Sequence, residues 1–153
     1  TVFNSLPAEL PRMISVGRLD INSEGLLLLT NNGDLARRLE LPGTGLLRRY
    51  RVRVYGIPDG SELKALKKGI VVNGVHYGPI FATLDRQLRR NAWLSLTLRE
   101  GKNREVRRVL NHLGLDVSRI IRISYGPFQL SKLAPRGLAE IPPKRIQRYT
   151  SSP

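Results

Sequence analysis

The sequence predicts an α+β fold built on a mainly antiparallel sheet, and three observations carry that expectation. Two stretches, RRYRVRVYG and AWLSLTLRE, alternate with the period of a half-buried strand. The Asn-Gly step of IVVNGVHYG carries a hairpin signature. Strand-like segments outnumber helical ones and are joined mostly by short turns, the pattern of α+β rather than α/β chains. No internal repeat or linker interrupts the 153 residues. One compact domain, of one or two lobes, is expected.

Taken in order, MISVGRLD predicts a short strand leading to a turn, and SEGLLLLT a second, fully buried strand. NNGD breaks the pattern, DLARRLE has helical spacing with Asp34 as N-cap, and LPGTG ends it. In RRYRVRVYG, Tyr50, Val52 and Val54 point inward while Arg49, Arg51, Arg53 and Tyr55 form a basic outer face. PDGSELKALKKG predicts a helix capped by Asp59 or Ser61, followed by the IVVNGVHYG hairpin, whose pairing FATLDRQ continues. AWLSLTLRE turns Leu94, Leu96 and Leu98 inward. KNREVRRVLNHLG then switches to helical spacing, with Val106, Val109, Leu110 and Leu113 as the apolar stripe and Arg104, Arg107, Arg108 and Asn111 opposite. SRIIRISYGPF is the last strand, with Ile120, Ile121 and Ile123 buried by default. Trp93 and Phe128 are expected in the core, and residues 142–153 as a flexible tail.

Composition narrows the function. There is no cysteine, which removes disulfides and thiolate metal sites, and His76 and His112 lie too far apart in sequence for ligand spacing, so no metal is expected. No leader opens the chain, and the longest aliphatic run, Leu26 to Leu29, is far too short to span a bilayer. A soluble protein of a reducing compartment, the cytoplasm, is the expectation. Thr1 in place of methionine suggests a chain entered midway. Twenty-six Lys and Arg stand against twelve Asp and Glu, a net charge of +14. The arginines recur within strands and a helix instead of forming one amphipathic helix or polybasic tail, which favours nucleic acid over membrane.

Three places invite chemistry. In GRLDINSEG, Arg18 and Asp20 are two apart and share a face of an extended segment. A carboxylate there, beside an apolar run and basic groups, is a candidate nucleophile or base; the bland reading is a strand end or turn cap. EGKNREVRR sets a Gly-Lys-Asn turn before a helix whose first two turns carry three arginines. Arginines at this spacing make a phosphate cradle or supply one guanidinium to a buried carboxylate, or else a solvated face. Tyr50 is either core or a stacking platform for a base.

Together GRLDINSEGLLLLTNNGDLA, RRYRVRVYG, LREGKNREVRRVLNHLGLDVSRIIRISYGPF and PRG resemble the pseudouridine synthases of the RsuA/RluB type, bacterial enzymes acting on ribosomal RNA, and the match runs from Thr1 to Ile141. The RluB-like large-subunit branch is the nearer one. The resemblance implies a mixed, mainly antiparallel sheet with flanking helices and a central active-site cleft. It implies Asp20 as the essential carboxylate, Tyr50 as the active-site tyrosine and Arg107 as the arginine paired with the carboxylate. It implies Arg18 as the residue entering the RNA as the target base flips out, and Ile120, with Ile121 as competitor, as the apolar residue near that base. Lys102, Asn103, Arg104 and Arg108 are the further candidate RNA contacts. No cofactor is implied; ribosomal RNA, large-subunit rather than small-subunit, is the partner, and a monomer the expected state. The family's usual upstream S4-like RNA-binding domain and first catalytic strand have no counterpart in the sequence. The rival reading is a non-catalytic basic RNA-binding or ribosome-associated module.

Overall fold

The computed structural model describes residues 2–41, 44–102 and 104–150. They fall into two compact units, one formed by Thr1–Arg18, Leu27–Thr44 and Ser131–Pro153, the other by Leu19–Leu26 and Gly45–Leu130.

In the first unit, β1 (Ile14–Ser15) pairs antiparallel with β3 (Leu29–Thr30). Helix α1 (Gly33–Glu40) packs on both and turns Leu35, Ala36 and Leu39 into the interior with Val16 and Leu28. Its cap is Asn32, not Asp34 as expected. Asn32 is extended, and its Oδ1 accepts from the N–H groups of Asp34 and Leu35 at 3.0 and 3.1 Å, while Asp34 pairs with Arg37 one turn on. The expected flexible tail is corrected in part, because Pro143–Thr150 forms helix α4. Proline suits a first helical position, Ile146 and Tyr149 are half-buried three residues apart, and the Tyr149 carbonyl accepts from Arg38 of α1 at 3.0 Å.

The second unit holds the large sheet. Its strands are β4 (Arg48–Tyr55), β7 (Ile80–Leu88), β8 (Asn91–Leu98), β9 (Asp116–Tyr125) and β10 (Phe128–Gln129), in the order β10-β9-β4-β8-β7. All these neighbours are antiparallel, and β2 (Glu24–Gly25) adds the one parallel pairing among the described residues, on β9. The sheet is therefore mixed and mainly antiparallel. Alternation fixes its two faces as read from the sequence: Val52, Val54, Leu94 and Leu96 are fully buried. Each such aliphatic side chain contributes about 1.5–3 kcal/mol by leaving water. Helix α2 (Gly60–Ala65), capped by Asp59, and helix α3 (Glu105–His112) complete this core through Leu63, Val106, Val109 and Leu110.

Three expectations need correcting here. SEGLLLLT is not one strand: its first residues pair with β9 and its last with β1, while Leu26 and Leu28 between them are buried. The hairpin of β5 (Ile70–Val72) and β6 (Val75–Tyr77) is a separate two-stranded sheet, and the FATLDRQ strand pairs with β8 instead of extending it. Trp93 lies on the outer register of β8, half-buried beneath arginines, whereas Phe128 is buried as expected.

Candidate active site

Segment 19–26 owes its position to β9. Gly25 adopts φ +108, and a Cβ there would stand 2.2 Å from the Arg122 carbonyl oxygen, so only glycine lets β2 lie this close. Leu26 N–H donates to that same carbonyl at 2.8 Å, and Arg122 Nε donates back to the Leu26 carbonyl at 2.9 Å. Arg119 of β9 grips Glu24 with two hydrogen bonds of 2.8 and 2.9 Å, which holds the Glu24 carboxyl below its ordinary value. Within the segment, Ser23 N–H donates to the Asp20 carbonyl at 2.8 Å and closes a tight turn. Asp20 is thus carried on a loop tied down at its far end.

The partner groups come from α3. Asp20 Oδ2 lies 3.2 Å from Arg104 Nη1 and 3.5 Å from Arg107 Nε, and its side chain keeps 26% of its surface open. Arg107, only 13% exposed, also donates through Nη2 to the Asn22 carbonyl at 2.9 Å, so one guanidinium fixes both the carboxylate and its loop. Arg104 reaches the acid from a left-handed position, φ 53, at the start of the helix. One carboxylate faces two cations and remains in reach of a ligand.

The other predicted residues distribute unevenly. Tyr50 is half-buried on the inner face of β4, opposite Arg122 in the register with β9. Arg122 is 2% exposed; burial pulls its guanidinium below the ordinary value, while Tyr50 and Tyr125 beside it act the other way. Among the described residues no hydrogen bond joins Tyr50 to Asp20. Arg18 is exposed and belongs to the first unit. Lys102 turns away from Asp20, toward the His76 carbonyl, the Tyr77 ring and Glu100. Arg108 is exposed, and Asn103 lies outside the described residues. Ile120 is 4% exposed within the core cluster and Ile121 half-buried on the opposite face.

Sequence reasoning missed Gly25, Arg122 and Glu105. An arginine at the inward register of IIRISY was the one visible signal for Arg122. Glu105 opens α3 and is 3% exposed; its Oε1 accepts from Lys102 N–H at 3.2 Å, and Oε2 has no partner among the described residues. Burial, then the neighbouring Glu100 carboxylate, pushes its pKa up to about 8. Glu100 itself accepts from Gly78 N–H at 2.6 Å. Among the described residues no group of three or more potential metal ligands occurs, and no helix is long and apolar enough to cross a membrane.

Residues 4–112 match the family model described as RNA pseudouridylate synthase. An uncharacterized RNA pseudouridine synthase of Rickettsia bellii is 52% identical over 94% of this chain and 62% of its own length. The ribosomal large subunit pseudouridine synthase B of Yersinia pestis is 45% identical over 90% of this chain and 43% of its own. A solved pseudouridylate synthase superposes with a TM-score of 0.84 at 25% identity, covering 98% of this chain and 65% of that one. A chain from an H/ACA RNP bound to a substrate RNA containing 2′-deoxyuridine shares the fold, with a TM-score of 0.63 at 15% identity. The chain spans less than two thirds of the length of these relatives. On the family match and the shared fold, the chain belongs to the RNA pseudouridylate synthase family.

Proposed function

We propose that the protein isomerises a uridine to pseudouridine within ribosomal RNA, of the large subunit, and does so in the cytoplasm. The single observation that carries the reading is Asp20: a carboxylate held between Arg104 and Arg107, yet a quarter open to a ligand. The names of the relatives support the substrate, pseudouridine synthase B being a large-subunit enzyme by its name.

The reaction moves one bond. N1–C1′ of the nucleotide breaks, the uracil turns, C5 bonds to C1′, and the proton lost from C5 is balanced by one gained at N1. On one route an Asp20 oxygen bonds C1′ as uracil leaves with the N1–C1′ electron pair, and C5 then displaces Asp20. On the other, Asp20 removes the proton from C2′ as uracil leaves with the N1–C1′ electron pair, and C5 then adds to C1′ of the glycal while the proton returns to C2′. Both use the carboxylate form of Asp20, the group that Arg104 and Arg107 face. No electrons are exchanged with a carrier, so the chemistry calls for no cofactor.

Reaching C1′ requires flipping the nucleotide out of its stack, at a cost of a few kcal/mol, roughly. Arg18, exposed and two residues from Asp20, is the group assigned to the vacated stack. Tyr50 is assigned to the uracil face and to the proton leaving C5. Ile120, buried behind the inner face of β9, would shape the site's wall from within rather than touch solvent. Arg108, Lys102 and Asn103 are assigned to phosphates.

The test is chemical. Unmodified large-subunit ribosomal RNA incubated with the protein should acquire carbodiimide adducts that stop reverse transcription at one uridine. Absence of any new stop, with RNA binding intact, would favour a non-catalytic RNA-binding module.

A further inference from the structure

The large sheet has a second face that the catalytic reading leaves unused. Direct pairing places side chains of neighbouring strands side by side, so Arg51 stands next to Ser95, and Arg53 next to Trp93 and Arg119. Arg49, Arg51 and Arg53 follow one another along β4 at a spacing of roughly 7 Å. This face is opposite the one bearing Tyr50, Val52 and Val54.

Trp93 is the organising group. The Arg51 guanidinium lies 4.9 Å from its ring centroid, and that of Arg53 lies 5.9 Å away. Cation–π contact holds the Arg51 guanidinium over the ring, while Arg51 itself remains exposed. Such a layer presents an outer guanidinium plane on which an unpaired base stacks, and N–H edges that bind phosphate. Tyr55, 50% exposed, adds a second aromatic on the same register of β4.

The charge on this face is available to a ligand. Of its acids, Glu24 is paired with Arg119, and Asp85 accepts hydrogen bonds from the hydroxyls of Ser95 and Thr83 rather than pairing with Arg49 or Arg51. Asp116 stands at the far end, opposite Tyr55. Among the described residues no salt bridge takes up Arg49 or Arg51. An aromatic flanked by unneutralised arginines on a flat strand surface is the composition of single-stranded nucleic-acid platforms.

The geometry points to the Arg49–Arg51–Arg53 row with Trp93 as a second RNA-binding surface, one that holds an unpaired RNA segment away from the Asp20 site. The inference rests on the reading of the protein as an enzyme of RNA, but its test does not depend on turnover. Trp93 is the sole tryptophan of the chain, so its fluorescence reports this face alone.

The experiment titrates the Asp20→Asn protein with an unmodified large-subunit RNA fragment and with oligouridine, reading Trp93 fluorescence and the anisotropy of labelled RNA together. Saturable quenching by both RNAs is expected at concentrations where anisotropy rises. The Arg49→Gln/Arg51→Gln double variant, altered only at exposed side chains, should bind roughly tenfold more weakly. Its salt slope should be lower by about 1.4, the contribution of two phosphates on a single strand. With Asp20 restored, that variant should raise KM and leave kcat unchanged. RNA binding without a change at Trp93, or quenching that the double variant leaves intact, overturns the surface. Failure of the wild-type protein to form pseudouridine would overturn the functional reading instead, while the quenching result stands by itself.

Discussion

Helix α3 supports two carboxyl groups in opposite circumstances. Asp20 lies against Arg104 and Arg107 and keeps contact with water, whereas Glu105, one residue from the first arginine and two from the second, is buried beside the Glu100 carboxylate. Two guanidiniums flank Asp20, which keeps 26% of its side-chain surface open. Burial beside Glu100 holds a proton on Glu105 well above the usual carboxylate range. The same functional group is ion-paired and open to solvent in one place and buried with its pKa raised in the other, and the difference lies in what surrounds it.

The largest expected effects fall on the Asp20 side. Asp20→Asn should lower the rate of isomerisation by at least about 100-fold, measured under single turnover, while leaving the thermal melt nearly unchanged. Gly25→Ala tests the loop that carries Asp20. A Cβ 2.2 Å from a backbone oxygen forces β2 off β9, so stability should fall by more than about 1 kcal/mol in denaturant melts, with activity lost alongside. Arg107→Ala removes the mostly buried guanidinium that touches both Asp20 and the Asn22 carbonyl, and should cost about 1–3 kcal/mol together with activity. Arg104→Ala breaks a more exposed pair and should cost about 0.2–1 kcal/mol.

On the Glu105 side the effect is read against pH. The folded protein keeps the Glu105 proton up to about pH 8, while the unfolded chain releases it near the ordinary value of 4.5. Between those values the folded state binds more protons, so stability falls as pH rises, by at most about 1.4 kcal/mol per pH unit from this group. The contribution is fully present below 4.5 and is lost through pH 8. Glu105→Gln should flatten that slope, which melts at pH 5, 6.5 and 8 would show. An unaltered slope would mean that Glu105 is ionised in the folded protein.

Much of the second unit was legible in the sequence because alternation and helical spacing report burial directly. Val52, Val54, Leu94, Leu96, Val109 and Leu110 are inside where the pattern puts them. The Asp20–Arg107 pairing came from the resemblance and not from spacing, since 87 positions separate the two and local pattern says nothing at that range. What local reading could not supply was set by distant partners. The apolar run after Glu24 divides because its ends pair with different strands; Trp93, by contrast, follows the alternation of β8 to the outer face, where arginines of β4 lie over it. Glu105 is buried at the start of α3 beside Glu100, an environment that the spacing of its own helix does not report.

The central claim is that Asp20, held by the arginines of α3, carries the reaction. It is tested most directly by the release of tritium from RNA labelled at uracil C5, comparing the wild-type protein with Asp20→Asn at saturating RNA. The account predicts release at the rate of pseudouridine formation from the former and none above background from the latter. Tritium release by Asp20→Asn at a near-normal rate would contradict it.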